Sequence, residues 1–481
     1  MEHTSFLTQI IPPARMVRLL LGEGRDSGAP LVWSSFLLRQ PTEEGLLLYN
    51  TLTLELLHLP AALVPELETL TGEADGRVPS LQAGPAASTG AEGGAPSPRR
   101  ELREQLRKKW FLVPADLDQH QTALELRKTL QDMEPPAEHL KKYTVFTTTA
   151  CNARCFYCYE KDWTPRTMRP ETADRLAEYM LAHSGSHRFQ IDWFGGEPLV
   201  NLGVIDRICT RLREAGANYR SHMVSNGYLF DPALIARAAE LWRLEEVQIT
   251  LDGVGETYER IKNYKTGTQG AFRRVTDNIA ALAAAGIRVH VRMNFDLHNL
   301  AQIEELADWL IQRFGGTPGV AAYPVPLFED PEDPAAWHSD EERDRLCAAE
   351  LDMRARMEAG GLRRSLPLPR EPDLRMCMAD SGCMITVLPD GKIGLCQNYD
   401  HSGFIGGIDG PEPDEAGLCS GRALREEIPA CADCPIYPGC IRLKLCPTQI
   451  CYPQRRHVRE EVKKRSMLAE WKTYQLRRTT T

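Results

Sequence analysis

From Tyr143 to about Phe328 the chain repeats one pattern, and no other feature restricts its fold so strongly. Six strand-like runs, Tyr143–Thr149, Phe189–Phe194, Tyr219–Val224, Glu246–Leu251, Arg288–Phe295 and Gly319–Leu327, alternate with helical segments. Among these, Glu171–His183, Pro232–Leu241, Ala271–Ala285 and Ile303–Phe314 are amphipathic. Strand–helix alternation at this spacing implies parallel βαβ units. Six units predict an α/β fold, a partial (β/α)6 TIM-like barrel rather than a closed eight-stranded one. Barrels of parallel strands place their chemistry at the C-terminal ends of the strands. The unusual residues of this chain fall there. A cysteine group follows the first strand, F-G-G-E-P-L (Phe194–Leu199) the second, S-N-G (Ser225–Gly227) the third and D-G (Asp252–Gly253) the fourth, while Arg292 and Asn294 close the fifth.

The stretch Y-T-V-F-T-T-T-A-C-N-A-R-C-F-Y-C-Y-E places Cys151, Cys155 and Cys158 in a C-x3-C-x2-C array. Three thiolates so close cannot all pair as disulfides, but they can wrap three corners of one iron–sulfur cube and leave its fourth iron open. A structural zinc site or buried thiols are the alternatives. In F-G-G-E-P, Gly195 and Gly196 let the backbone approach a ligand, and Glu197 can accept charge-assisted hydrogen bonds from an ammonium. A Gly-Gly pair alone also marks an ordinary turn.

A second concentration lies near the C-terminus: Cys377-x5-Cys383-x12-Cys396, then Cys431-x2-Cys434-x5-Cys440-x5-Cys446-x4-Cys451, with Cys419 between. C-x2-C is a common zinc knuckle. Eight or nine cysteines in ~75 residues exceed the four ligands of one zinc site and suit two cubes of four thiolates each. Cys209 and Cys347 sit in helical patterns as buried thiols.

Taken together, the array, the G-G-E-P loop and the C-terminal cysteines resemble the radical S-adenosylmethionine (SAM) superfamily with a C-terminal SPASM extension. The resemblance covers roughly Tyr143 to Cys451. It implies that Cys151, Cys155 and Cys158 hold a catalytic [4Fe–4S] cluster whose open iron chelates SAM. Reductive cleavage then gives a deoxyadenosyl radical that abstracts hydrogen from substrate. Gly195, Gly196 and Glu197 would bind the SAM amino group, Ser225 and Asn226 its ribose or carboxylate, and Tyr157 its adenine, with Asp252, Arg292 and Asn294 as further cofactor contacts. Two auxiliary [4Fe–4S] clusters would sit on Cys377, Cys383, Cys396 and Cys446 and on Cys431, Cys434, Cys440 and Cys451. The long Cys440–Cys446 spacing lets Cys446 and Cys451 trade roles, and Cys419 can replace Cys383.

The expected domains are 1–138, a small α+β region with a flexible insertion at 72–98 rich in Gly, Ala, Ser and Pro; 139–330, the partial barrel; 331–375, a helical connector; and 376–481, the SPASM domain. Within the first, strands run from Ser34 to Leu59 with turns at Pro41–Gly45 and Asn50, and helices cover Leu63–Leu70, Arg99–Lys109 and Gln119–Met133. W-F-L-V is a further strand, and residues 1–30 give no clear pattern. Hairpins ahead of the cysteine array resemble the recognition domains of peptide maturases, which take a leader peptide on an open strand edge; a plain structural extension is the alternative.

The resemblance therefore implies a ribosomal precursor peptide as substrate, a thioether cross-link as leading product, and a flavodoxin- or ferredoxin-type electron donor. Other cross-links, epimerisation or sulfatase-type formylglycine formation are alternatives, though the last places an Asp where this chain has Gln397. A non-catalytic, metal-stabilised peptide scaffold is the reading from another class. A formal net charge of −9 disfavours nucleic acid and anionic membrane as partners. No run approaches the ~20 apolar residues of a membrane span. Without a secretory pattern at the N-terminus, the 14 cysteines indicate metal or redox use in the cytoplasm.

Overall fold

The computed structural model describes residues 6–24, 26–70, 98–133, 138–267, 269–330, 333–372, 377–397, 403–420, 425–440, 442, 446 and 450–479. The insertion expected at 72–98 lies outside the described residues except for Pro98.

The N-terminal region runs β1 (Thr8–Ile11), α1 (Arg15–Leu21), β2 (Leu31–Trp33), β3 (Leu37–Thr42), β4 (Gly45–Asn50), β5 (Glu55–Pro60), α2 (Val64–Leu70), α3 (Pro98–Lys108), β6 (Leu112–Pro114) and α4 (Gln119–Met133). Two of these, β1 and α1, fall where the sequence showed no pattern, and Pro41 lies inside β3, so the turn shrinks to 43–44. Strands β1, β5, β4 and β3 form an antiparallel sheet in that order, and β2 pairs with β6. Period-2 alternation gives the sheet two apolar faces. Leu48, Leu57 and Leu59 pack with Leu102, Leu106 and Phe111. Leu47, Tyr49 and Leu56 pack with Val17, Leu126 and Leu130, and with Met467 and Trp471 from the far end of the chain. Interior strands β4 and β5 are paired on both sides, so β3 and β1 are the edges.

The central region alternates β7 (Lys142–Thr148), α5 (Pro170–Ser184), β8 (Phe189–Gly195), α6 (Leu202–Glu214), β9 (Tyr219–Ser225), α7 (Pro232–Glu240), β10 (Leu244–Leu251), α8 (Gly255–Lys262), α9 (Ala271–Ala284), β11 (Arg288–Phe295), α10 (Leu300–Phe314) and β12 (Val320–Pro326). The six strands match the expected ones to within two residues at either end, while α6 and α8 are additional. All six are parallel, and each lies beside its neighbour in sequence. Right-handed crossovers in sequential order carry the helices to one side of the sheet. The strands show it. Ile191, Trp193, Val247, Ile249, Val289 and Val291 are fully buried, while the intervening Gln190, Asp192, His222, Gln248 and Arg292 are half-buried and polar. A sheet covered on both faces reads as a continuous apolar run instead.

After α11 (Asp340–Ala359), begun by a Ser339–Glu342 capping box, come β13 (Met384–Val387), β14 (Lys392–Gly394), β15 (Phe404–Gly407), the single turn α12 (Glu415–Leu418) and the 27-residue α13 (Pro453–Thr479). Strand β13 pairs in parallel with β7, so the sheet continues as β7-β13-β14-β15. The strand that precedes the cysteine array is thus an interior one, held on both sides.

Candidate functional site

Gly195 ends β8 and Gly196 follows it, both against the end of β7. Gly195 has φ 120°, and a Cβ there would stand 2.1 Å from the Thr148 carbonyl oxygen; one on Gly196 would stand 2.5 Å from that of Ala150. In this structure the two glycines make room for the neighbouring strand end, not only for a ligand as the sequence indicated. Gly196 N–H donates to Thr148 O and Glu197 N–H to Ala150 O, at 3.1 and 3.0 Å. The second loop is thereby fixed to the start of the cysteine loop.

Glu197 is fully buried. Its carboxylate accepts from the Ser225 hydroxyl at 2.9 Å, Asn226 N–H at 2.8 Å and Leu199 N–H at 3.2 Å. Burial pushes its pKa up to about 7, against the pull of those donors. Ser225 also accepts from Gly227 N–H at 3.0 Å, so its hydroxyl supports Glu197 from behind. Asn226 faces the cysteine loop: its amide donates to Asn152 Oδ1 at 2.7 Å and reaches Cys151 Sγ at 3.9 Å.

Tyr157, between two cysteines of the array, donates its hydroxyl to Asp252 Oδ2 at 2.8 Å. Lys262, which the sequence reading missed, completes the group: its Nζ lies 2.8 Å from Asp252 Oδ2 and donates to the Tyr157 hydroxyl at 3.1 Å. Burial alone would lower the lysine pKa, but Asp252, Tyr157, Cys155 and Tyr258 together outweigh it and raise it well above the usual lysine value, so the ammonium stays protonated. Asn299 donates to the carbonyls of Asp252 and Asn294, tying the fourth and fifth strand ends together. Arg292 Nε donates to Asn294 Oδ1 at 2.8 Å, and its guanidinium lies 5.2 Å from the Phe328 ring centroid. All nine expected cofactor contacts therefore stand toward the C-terminal ends of the parallel strands or on the loops that follow them.

Burial raises the pKa of Cys151 to about 12 and also raises those of Cys155 and Cys158. For Cys155 the Lys262 charge opposes that push and the Asp252 charge reinforces it. None of the 14 cysteines is in a disulfide. Among the described residues no three His, Cys, Asp or Glu side chains converge on a point where a single metal ion would sit. Around the array, Asn152 Nδ2, Glu160 Oε2 and Asp252 Oδ1 are buried without a hydrogen-bond partner among the described residues. Buried polar atoms are normally satisfied. Three thiols on one loop beside three such atoms fit a polar cofactor group.

Residues 145–310 match the model of the radical SAM superfamily. The chain carries a radical SAM domain. That domain identifies an enzyme and implies SAM and a [4Fe–4S] cluster. Among curated relatives, an uncharacterised protein of Methanocaldococcus jannaschii is 25% identical over 174 residues, 36% of this chain and 59% of its own. GTP 3',8-cyclase of Rhodopirellula baltica is 34% identical over 145 residues, 29% of this chain and 38% of its own. The chain thus spans less than two thirds of either. Among solved structures, native anSMEcpe with bound AdoMet and Cp18Cys peptide is 13% identical, with a TM-score of 0.54 over 69% of this chain and 98% of its own. That likeness is one of fold, an α/β arrangement with a mostly parallel sheet. Among the described residues no helix is long and apolar enough to cross a membrane.

The C-terminal cysteines gather in two places. Cys377, Cys396 and Cys446 pack around Ala379 and Leu395. Cys431, Cys434 and Cys440 border the core that holds Ile436 and Tyr437, and Cys451 lies close enough to Cys440 and Cys431 for their charges to act on it. Cys383 is fully buried just ahead of β13, and a Cβ on Gly382 would stand 3.0 Å from Cys419 Sγ. Tyr159 donates to the Gln397 carbonyl at 3.5 Å, which sets the array beside the first of these groups.

Proposed function

We propose that this chain is a radical SAM maturase of a ribosomally made precursor peptide. The observation that carries the reading is the joining of the cysteine loop to the Glu197 loop and Asn226 across three consecutive strand ends. Cys151, Cys155 and Cys158 would hold the cluster. Glu197 would receive the SAM ammonium, with Asn226, Tyr157, Asp252, Arg292 and Asn294 around the rest of the cofactor. When bound, cluster and SAM supply one-electron chemistry that removes a hydrogen atom from the substrate. The chain's own part is to orient SAM and peptide and to exclude water. Sequential parallel strands with one polar face support a partial barrel whose mouth receives the peptide.

The two cysteine gatherings support two auxiliary clusters, with Cys383 or Cys419 as the fourth ligand of the first. A peptide substrate is supported by the fold shared with anSMEcpe, which was solved with a bound peptide. The favoured product is a thioether. The substrate carbon would lose a hydrogen atom, the cysteine thiol a proton, and the C–S bond would form with release of one electron; a cluster held by the C-terminal cysteines would supply the acceptor for that electron. Formylglycine chemistry is less favoured because Gln397, beside the array, is an amide and cannot serve as a base. The small N-terminal sheet would take the leader peptide along β3 or β1, its unpaired edges. A flavodoxin- or ferredoxin-type donor in the cytoplasm completes the proposal.

The test is anaerobic reconstitution with SAM and dithionite, followed by incubation with precursor peptides encoded beside this chain. Deoxyadenosine formation, with a peptide that loses two hydrogens and one titratable thiol, is the expected result. A protein that binds zinc in place of iron and leaves SAM intact would overturn the proposal.

A further inference from the structure

Lys262 and Asp252 are the most deeply buried ion pair at the site, with side chains 3% and 1% exposed. Stability alone is a poor reason for such a pair, because apolar residues of similar volume usually serve as well or better. Their surroundings give another reason. The Tyr157 hydroxyl, from the middle of the cysteine array, bridges the two charges. At the end of α8, the carbonyl of Lys262 accepts from Arg154 N–H at 2.9 Å, and Lys265 N–H donates to the Asn152 carbonyl at 2.8 Å. Asn263 makes this possible by taking a left-handed conformation (φ 45°), which turns the chain back toward the array. Tyr258, whose ring centroid lies 5.8 Å from Lys262 Nζ, and Tyr264, which donates to the Asn226 carbonyl at 3.4 Å, close the surroundings. The bonds of Tyr157, Lys262, Lys265 and Tyr264 named above thus reach the cysteine loop or the loop facing it.

We propose that Lys262, Asp252 and the Tyr157 hydroxyl form a buried clamp that positions the cysteine loop, and that its two opposed charges set the reduction potential of the cluster the loop holds. The inference rests on the assignment of Cys151, Cys155 and Cys158 as cluster ligands. Lys262 is a positioning residue; its positive charge favours the reduced, more negative cluster, and Asp252 opposes it.

The experiment uses the reconstituted full-length enzyme without SAM and follows reduction by electron paramagnetic resonance. The relevant cluster is identified by its spectral change on adding SAM. D252N leaves a positive charge unopposed and K262M a negative one. Each is compared with wild type at matched pH, K262M on the alkaline side of neutrality and D252N on the acid side, so that the remaining group stays ionised. At a fixed potential near the wild-type midpoint, the ratio of reduced to oxidised cluster should rise at least tenfold in D252N and fall at least tenfold in K262M. Each change corresponds to about 59 mV for one electron. K262R and the double variant should return toward wild type. Shifts of the same sign, or none at equal iron content, would overturn the electrostatic role. Should a single variant fail to load, Y157F, which leaves the ion pair intact, tests the clamp: its iron should pass to a chelator several-fold faster than from wild type, and equal rates would overturn it. A wild-type spectrum indifferent to SAM would instead sink the cluster assignment itself.

Discussion

At the mouth of the parallel sheet, loops far apart in sequence hold one another by hydrogen bonds from buried groups: Glu197 to Ser225 and Asn226, Asn226 to Asn152, Tyr157 to Asp252. Around Cys431–Cys440 the described backbone bonds instead join near neighbours: Cys434 N–H donates to Cys431 O, Tyr437 N–H to Cys434 O and Cys440 N–H to Tyr437 O. The first site is built by the protein itself. In the second, the described backbone bonds are local turns, and its longer-range ties include the packing of Ile436 and Tyr437 on the N-terminal core and the Thr51 hydroxyl donating to the Pro435 carbonyl. Its backbone therefore gains more order from what the thiolates bind, as in small metal-built domains.

The largest expected effect separates the two sites outright. Replacing Cys151, Cys155 and Cys158 together with Ala should abolish deoxyadenosine formation yet leave about eight of about twelve iron atoms per chain, two cubes of the three. Loss of all iron would show that the C-terminal sites depend on the first. Next comes hydrogen exchange of the metal-free protein. The amides of Arg154, Gly196, Glu197 and Asn226 should stay protected while those of Cys434, Tyr437 and Cys440 exchange rapidly. Equal protection in both places would end the contrast.

A third prediction concerns the N-terminal sheet. Trp471 stacks on His58 with ring centroids 4.1 Å apart, and Met467 and Trp471 share a core with β4 and β5. Trp471→Ala should cost about 3–5 kcal/mol, read as a lower midpoint in denaturant. By the same reasoning, removing 1–138 would strip the cover from α13 rather than release an independent unit. A denaturation curve unchanged by the substitution would show the two parts to be separable.

The smallest effect is the pH dependence from Glu197. Burial raises its folded pKa to about 7 from 4.5. The folded state therefore holds the proton more tightly, and this stability, full below the unfolded pKa, is lost as pH rises through about 7. Glu197→Gln should flatten that stretch of the stability profile. A bound ammonium favours the carboxylate, so SAM affinity should increase with pH across the same window in wild type and lose that slope in the variant.

The periodic parts of the fold were legible because one buried face leaves a period-2 or 3.6 signature. Strands β7 to β12 and helix α4 emerged nearly residue for residue. Helix α8 did not, because its buried positions are Tyr258 and Lys262, and a lysine in a helical pattern reads as solvent-facing. Its burial depends on Asp252 ten positions earlier and Tyr157 on another loop, a pairing that periodicity cannot carry. Gly195 and Gly196 were legible as a close approach, but not what approaches: the carbonyls of Thr148 and Ala150. The pairing of β13 with β7 was hidden for the same reason, since it joins segments some 240 residues apart.

Helix α13 has a consequence for the order in which the chain becomes whole during synthesis. The face of the N-terminal sheet formed by Leu47, Tyr49 and Leu56 is covered in part by Met467 and Trp471, which leave the ribosome roughly 400 residues later. At about 5–20 residues per second that is on the order of 20–80 s. Through that interval one of the earliest apolar surfaces made stays incompletely covered, and a chain halted before α13 would carry it exposed.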